Sequence, residues 1–464
     1  MAKSFQVLTR ALKVASVALA LFIFLRADCS AQSQMKTGVE GEGARQQQQQ
    51  TLPATARALY EEAENYTRVR FGEFARTGVP YNQGLEQKIF QERRELAARN
   101  AARLDARGPL HGPDLYYAGL LYTLADKTDA SLDALRRFLA EDAGAELKQS
   151  ARFVFVQQAT ATGRAAEAEK VLAEYMSGEP RAPDEVNKLQ LALASFYVKS
   201  REYARAAEHA RVSFELALRG AGDKSSEPRA RDGKIYTAGA LLSDSLLKAG
   251  RRAEALAVIQ QMRSLALALP SARLYGGATD LLLAKGEPLN VPPSSVAGAS
   301  GNGAADVMRP PDIRISEWVE QTPFKLADMR GRVVLLDFWA TWCGPCRASM
   351  PKLNALYKKY QDRGFVVLGL TNYFGNAEGR ELTPAEEIEY LRQFKKKNNI
   401  AYGFGVADHI ENETSYGIQA IPTAFLIDRA GRVRFITTDA SDTEATALAE
   451  MVRKLVEEQY GNDK

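Results

Sequence analysis

The amino-acid sequence predicts two folded regions of different class, an all-helical region followed by an α/β region. From Leu59 to about Lys285 nearly every window shows helical periodicity and is rich in Ala, Leu, Arg and Glu. Beyond about residue 311, apolar runs of strand length alternate with amphipathic helices and end in a hairpin and a helix. The 464 residues, 45% of them hydrophobic, suffice for two cores. We therefore expect a multidomain chain.

Similar short segments recur in the helical region and indicate stacked pairs of helices. The segments that begin at Asp129, Gly163, Glu202 and Gly250 are separated by 34, 39 and 48 residues. The first spacing equals the length of a tetratricopeptide (TPR) repeat. Residues 56–287 therefore resemble a degenerate TPR-like array, which implies a concave surface for a protein partner. A helical bundle without repeats is the alternative.

Polar segments flank the helical region. Residues 32–55 include five consecutive glutamines, Gln46 to Gln50, and predict a disordered spacer. Residues 288–310 are rich in Pro, Ser, Gly and Ala and predict a flexible linker. The α/β domain is then expected to occupy residues 311–464.

The first 31 residues have the pattern of a secretory signal peptide. Basic residues precede an uncharged apolar run at 14–25, and small residues follow at 29–31. This run is short for a membrane span, although an uncleaved inner-membrane anchor stays open. In either case the α/β domain would face an exported compartment, which we interpret as a bacterial periplasm. Cleavage after Ala31 would remove Cys29 and leave two cysteines in the chain.

These two cysteines, Cys343 and Cys346, are separated by two residues and follow the apolar run Val333 to Trp339. If a helix begins here, the first cysteine lies where backbone N–H groups and the helix dipole lower a thiol pKa. A thiolate in such a place attacks disulfides well and also leaves well. The pair therefore predicts thiol–disulfide exchange.

Other interpretations of the pair are weaker. A zinc site needs four ligands, and the chain offers only three histidines and Cys29 besides this pair, so we expect no metal. A peroxiredoxin-type site is disfavoured because Ala340 stands where such enzymes have a threonine. A purely structural disulfide stays open.

Two distant motifs in the α/β region resemble a known family. Residues 338–346 read FWATWCGPC, and residues 417–428 read GIQAIPTAFLID. They resemble the active site and the cis-proline segment of the TlpA/ResA-like subgroup of thiol-disulfide oxidoreductases. The resemblance covers about a third of the chain, implies a thioredoxin fold for residues 311–464, and implies no cofactor.

The resemblance also implies roles for the cysteines and their neighbours. Cys343 would be the exposed attacking cysteine and Cys346 the buried resolving cysteine, joined as a Cys343–Cys346 disulfide when oxidised. The other residues of the motif, Trp342, Gly344 and Pro345, would support the pair.

The second motif implies a substrate-binding element. The Ile421–Pro422 bond would be cis and lie against the cysteines, with the backbone at Ile421 pairing with an extended segment of substrate.

Asp337 is a carboxyl group inside an otherwise apolar strand, so burial should raise its pKa. Its distance from Cys343 matches the buried acid of thioredoxins, which implies that it assists proton removal from the resolving thiol. A hydrogen-bonded, inert residue is the alternative. Some ResA-like relatives carry a substrate-selecting glutamate where this chain has Ser349, so that role is not carried over.

Two functions follow from these observations. The first is an exported disulfide reductase with a part in cell redox homeostasis, which acts on disulfide-bearing proteins and is re-reduced by a membrane electron donor. The second is a protein-interaction module whose thioredoxin-like domain senses redox state or is inactive. The net charge of +4 is small and no dense basic patch occurs, so nucleic-acid binding gains no support.

Overall fold

The predicted fold class is confirmed for both regions. The computed structural model describes residues 54–223, 226–286 and 309–458. Its described residues up to 286 are helical, and those from 309 onward form a mixed sheet with helices. The predicted signal peptide lies outside the described residues, as do most of the predicted spacer and linker. The domain boundaries and the TPR-like character stay predictions.

The helical region is a series of helices of 12 to 23 residues joined by short turns. Several begin with side-chain caps or with proline at the first turn, both of which favour helix starts. They are α1 (Ala56–Thr77), α2 (Gln83–Asp105), α3 (Pro113–Leu124), α4 (Thr128–Ala140), α5 (Ala145–Ala161), α6 (Ala165–Ser177), α7 (Pro183–Lys199), α8 (Tyr203–Arg219), α9 (Pro228–Lys248), α10 (Arg252–Ala268) and α11 (Ala272–Leu283).

Four of the turns share one geometry, which supports a repeat of helix pairs. The second residue before α4, α6, α8 and α10 has positive φ, between 57° and 81°. In each turn the next residue donates its N–H to the carbonyl five positions earlier. The second helices begin at Thr128, Ala165, Tyr203 and Arg252, which are 37, 38 and 49 residues apart. The predicted first spacing of 34 is wrong, because Asp129 lies inside α4 whereas Gly163 lies in the turn before α6.

Most helices of this region pack against the next helix in the chain. The first helices of neighbouring pairs, such as α3 with α5 and α5 with α7, also contact one another. Small residues at the crossings permit this packing: a Cβ on Gly119 would lie 2.8 Å from the Leu135 side chain. Stacking of this kind buries three successive cores along the region.

The α/β region has a six-stranded sheet in the order β1-β6-β3-β2-β7-β8. Strands β2, β3 and β6 are parallel, whereas β1, β7 and β8 run antiparallel to their neighbours. The strands are β1 (Glu317–Val319), β2 (Val333–Phe338), β3 (Phe365–Asn372), β6 (Gly403–Ala407), β7 (Thr423–Ile427) and β8 (Val433–Thr437), with a separate ribbon of β4 (Asn376–Ala377) and β5 (Arg380–Glu381). The helices are α12 (Gly344–Tyr360), α13 (Pro384–Lys397), α14 (Glu411–Ser415) and α15 (Asp442–Glu457).

Different parts of the chain cover the two faces of this sheet. Side chains alternate along a strand, so Val333 and Leu335 of β2 point to one face and Val334, Leu336 and Phe338 to the other. The first two pack in a core with α12, α13 and α15. The other three pack in a core that is continuous with helices α8 to α11. The helical region therefore supplies one layer of the α/β sandwich.

Two adjacent glycines let helix α11 lie close to its neighbours. A Cβ on Gly277 would lie 2.6 Å from the ring of Tyr236 on α9, and one on Gly276 would lie 3.3 Å from Thr438, the residue that follows β8. Next to them, Tyr275 packs edge-on against Phe435 of β8, with ring centroids 6.3 Å apart. The glycines thus explain how a helix can pack tightly against the sheet edge.

Candidate active site

The cysteine pair lies where β2 is followed by α12. Cys343 is the N-cap of α12 and Cys346 lies in its first turn, and the two form a disulfide with Sγ atoms 2.02 Å apart. Pro345 fits this first turn because no helical hydrogen bond needs its missing N–H. The Cys346 N–H donates to Cys343 Sγ over 3.2 Å. This donor and the helix N-terminus favour a thiolate at Cys343 once the disulfide is reduced.

Both cysteines are buried in the disulfide form. Cys343 is 5% exposed and Cys346 is 1% exposed. The prediction of an exposed Cys343 is therefore wrong for this form. The reason is the segment before Pro422, whose Ile421 carbonyl oxygen lies 3.8 Å from Cys343 Sγ. Cys346 is the more deeply buried of the two, and the roles of attacking and resolving cysteine stay predictions.

The Ile421–Pro422 peptide bond is cis. It directly precedes β7, which pairs with β2 so that Thr423 lies opposite Phe338. This register brings the proline segment to the residues that follow β2, among them Cys343. Thr423 Oγ1 donates to the Ala420 carbonyl over 2.8 Å and closes the turn.

An exposed aromatic pair lies beside the disulfide. Trp342 is 61% exposed and Phe374 is 36% exposed, and their rings meet edge-on with centroids 5.5 Å apart. The Glu387 carboxylate of α13 accepts hydrogen bonds from the N–H groups of Phe374 and Gly375 and so fixes the position of this loop. Sequence reasoning found Trp342 through the motif but missed Phe374, because one aromatic residue after a strand is a common pattern.

Asp337 lies on the face of the sheet that α12 covers. In β2 it alternates with Val333 and Leu335, whose core also contains Cys346. It is 3% exposed, and burial raises the pKa of its carboxyl to about 7. Burial, with a smaller contribution from the Asp337 charge, also raises the pKa of the Tyr402 phenol in the same core. Asp337 can therefore hold or release a proton near neutral pH.

Gly369 of β3 is a residue that sequence reasoning missed. It lies opposite Asp337 in the sheet, and a Cβ there would lie 2.7 Å from Trp339 Nε1. Glycine thus makes room for the buried indole ring that follows β2. The available signal was a glycine inside an apolar strand, which often marks a close approach.

Ser349 and two of the three histidines make contacts that serve the fold. Ser349 Oγ donates to the Cys346 carbonyl over 2.8 Å, so it serves the active-site helix. His209 stacks on Tyr197 and contacts Gln190 through Nδ1, and His111 lies at the surface near Glu141. Among residues 54–223, 226–286 and 309–458, no three His, Cys, Asp or Glu side chains are grouped so that they could hold a metal ion. Within the same ranges, no helix combines the length and apolarity that a membrane crossing requires.

A strand, a Cys-x-x-Cys turn at a helix N-terminus and a facing cis-proline together define a thioredoxin-like thiol-disulfide oxidoreductase site. Comparisons with known proteins agree. Residues 306–454 match the Redoxin family. Thiol-disulfide oxidoreductase ResA of Geobacillus thermodenitrificans (strain NG80-2) is 31% identical over 134 residues, which are 29% of this chain and 70% of that protein. The chain therefore belongs to the ResA family of thiol-disulfide oxidoreductases through its C-terminal region.

Other relatives are matched over a smaller share of their length. ResA of Bacillus thuringiensis subsp. konkukian (strain 97-27) is 32% identical over 116 residues, and this chain spans 60% of that protein and uses 25% of its own length. Among solved structures, a thiol:disulfide interchange protein of the thioredoxin family from Chlorobium tepidum is 24% identical, with a TM-score of 0.27. That match covers 32% of this chain and 97% of the other.

Proposed function

We propose that this protein is an exported thiol-disulfide oxidoreductase that reduces disulfides in other proteins. One observation carries the proposal: the Cys346 N–H points at Cys343 Sγ at the N-terminus of α12, beside the Ile421 carbonyl. A thiolate at Cys343 is favoured by the first contact, and a substrate chain can be held by the second. The signal-peptide pattern at 1–31 supports export, and we infer a periplasmic location from it.

The reaction proceeds by two exchanges. In the reduced protein, the Cys343 thiolate attacks one sulfur of the substrate disulfide, forms a mixed disulfide and releases the other substrate sulfur as a thiolate, which takes up a proton. Cys346 then attacks Cys343 Sγ, so the second substrate sulfur leaves and the Cys343–Cys346 disulfide forms. Two electrons pass from the cysteine pair to the substrate. A membrane electron donor would return the pair to its reduced form.

Asp337 has a role in the second exchange. Cys346 is buried and must lose its proton before it attacks, and water has little access to it. Asp337 lies in the same core with a pKa of about 7, so it can accept that proton near neutral pH. The uncharged acid that results is the form that burial favours.

The surroundings of the disulfide favour a protein substrate. The exposed rings of Trp342 and Phe374 offer apolar surface next to the cysteines, which suits a polypeptide better than a small polar thiol. The stacked helices of the N-terminal region offer a further surface for a protein partner.

Trapping of mixed disulfides tests the proposal. The Cys346→Ser variant keeps the attacking thiol and cannot resolve the adduct, so it should accumulate proteins linked to Cys343. These adducts should disappear on treatment with dithiothreitol. The matched control is Cys343→Ser, which keeps one thiol of the pair but removes the attacking one, and it should trap few or none. Equal trapping by both variants, or none by either, would favour the interaction module with an inactive or sensing thioredoxin-like domain.

A further inference from the structure

The segment that leads to the cis-proline is anchored on the helical region. The N–H groups of Ala272 and Arg273 donate to the carbonyl oxygens of Tyr416 and Gly417, each over 3.0 Å. These donors belong to the first turn of α11, where backbone N–H groups have no partner within their own helix. The helix start thus finds its hydrogen-bond acceptors in the other region of the chain.

A buried polar network fixes this anchor. Ser271 is the N-cap of α11: its Oγ accepts from the Leu274 N–H over 3.1 Å and donates to the Asp232 carboxylate of α9. Asp232 is 1% exposed, and the Arg231 guanidinium pairs with it over 2.9 Å. These side chains lie on α9 and at the start of α11, and the Ser271 N–H donates to the Ala266 carbonyl of α10 over 2.9 Å, so three consecutive helices set the position of the anchor.

Gly417 is fitted to the anchor in two ways. Its φ is +61°, a conformation that favours glycine, and a Cβ there would lie 3.1 Å from Ser271 Oγ. The glycine permits the chain to turn and to approach the helix start at the same point. Four residues later the chain reaches Ile421, whose carbonyl faces Cys343 Sγ.

We propose that Ser271 and Asp232 are positioning residues for substrate binding. They hold the segment Tyr416–Gly417 on one side, while β7 holds Thr423 on the other, so the backbone at Ile421 keeps a fixed distance from Cys343. An extended peptide on either side of a substrate cysteine needs that fixed backbone. The inference rests on the proposed function and adds that the helical region forms part of the substrate site.

Two kinds of substrate separate positioning from general stability. A disulfide-linked peptide needs the Ile421 backbone, whereas 5,5′-dithiobis(2-nitrobenzoic acid) has no peptide backbone and needs only the Cys343 thiolate. For Ser271→Ala we expect about a tenfold slower reaction of the reduced protein with the peptide, because small misplacements of binding groups are costly. Its rate with the small disulfide should stay within about twofold of the wild type, because the thiolate and its N–H donor are untouched.

Matched variants complete the test. Ser441→Ala removes the same type of cap from α15, where Ser441 Oγ accepts from the Glu444 N–H of its own helix, and should leave both rates unchanged. Ser271→Thr keeps the hydroxyl and should restore the peptide rate. If Ser271→Ala does not fold, Asp232→Asn is measured in its place with the same expectation.

The outcomes are distinct. Equal loss on both substrates, or no loss on either, would overturn the positioning role of Ser271 and Asp232. A wild-type protein that reacts with neither substrate would instead overturn the proposed function.

Discussion

Asp337 is the residue on which the pH behaviour of this protein most depends. Its carboxyl group is buried in the core that contains Cys346, and burial raises its pKa to about 7. In the unfolded chain an aspartate titrates at about 3.9. Between these two values the folded protein keeps a proton that the unfolded chain has lost, so the free energy of unfolding falls as pH rises from about 4 to about 7.

The Asp337→Asn variant should lose this pH dependence. Relative to the wild type, its free energy of unfolding should increase by on the order of 4 kcal/mol between pH 4 and pH 8, because asparagine carries no charge to bury. Urea titrations at pH 4, 6 and 8 measure the difference, with Asp362→Asn at an exposed position as the control for loss of an aspartate. If the difference in the free energy of unfolding between variant and wild type stays constant across this pH range, the pKa of Asp337 is not raised.

The same variant should slow catalysis at the second exchange. Without the carboxylate, Cys346 loses its proton more slowly, so the mixed disulfide should persist longer while the first exchange keeps its rate. Stopped-flow measurement of the two phases checks this. Equal slowing of both phases would speak against a role in proton transfer.

Gly344 and Pro345 bear on the direction of electron transfer. A Gly-Pro pair between the cysteines is typical of reducing thioredoxins, for which the reduction potential is about −270 mV. We expect a potential close to that value from equilibration with glutathione or dithiothreitol buffers. A potential near about −120 mV would indicate an oxidase.

At the scale of single elements, helix α11 is one of the helices that join the two regions, since both α10 and α11 contact β8. Glycine inside a helix costs about 1 kcal/mol relative to alanine, so two adjacent glycines need a reason. The reason is close packing, since a Cβ on Gly277 would lie 2.6 Å from the Tyr236 ring.

The Gly277→Ala variant should therefore be destabilised by about 1 to 2 kcal/mol, because overpacking outweighs the gain in helix propensity. Gly233→Ala in α9 is the matched control: a Cβ there meets nothing within 4 Å, so it should be neutral or stabilise by up to about 1 kcal/mol. Denaturant titrations of both variants check the opposite signs. A stabilised Gly277→Ala protein would contradict the packing.

Elements with strong local signals could be predicted from the sequence. The apolar run before the cysteines forms β2, as expected. The start of α13 carries an equally local signal, the capping box of Thr383 and Glu386. The edge strand β1 and the ribbon of β4 and β5 escaped prediction, because two or three residues carry no periodicity. The predicted repeat spacing was wrong because similar residues near the helix starts do not fix how the helix pairs align. The turn residues with positive φ do fix that alignment.

At the scale of the whole molecule, the helical region completes the fold of the catalytic domain. Val334, Leu336 and Phe338 lie on one face of the sheet, and helices α8 to α11 cover that face. No sequence pattern indicated that helices of the N-terminal region cover the sheet, since an apolar helix face has the same periodicity whether it packs on a helix or on a sheet. The cysteines and their chemistry could be predicted from a motif. The Ser271 anchor could not, because it joins residues that are far apart in the chain.

Truncation tests this dependence. A fragment that starts at residue 309 would leave the apolar sheet face without its cover, so we expect aggregation or loss of fixed tertiary structure. A fragment that starts at residue 201 keeps α8 to α11 and should remain folded. Near-ultraviolet circular dichroism and dye binding distinguish the two. A folded, monomeric 309–464 fragment would show that the helical cover is dispensable.

The most direct test of the account is the rate at which the protein catalyses reduction of insulin by dithiothreitol. The form starting at residue 32 should shorten the lag before the insulin B chain precipitates, and the Cys343→Ser variant should match the uncatalysed reaction. A wild-type protein no faster than Cys343→Ser would contradict the claim that Cys343 and Cys346 exchange disulfides with protein substrates.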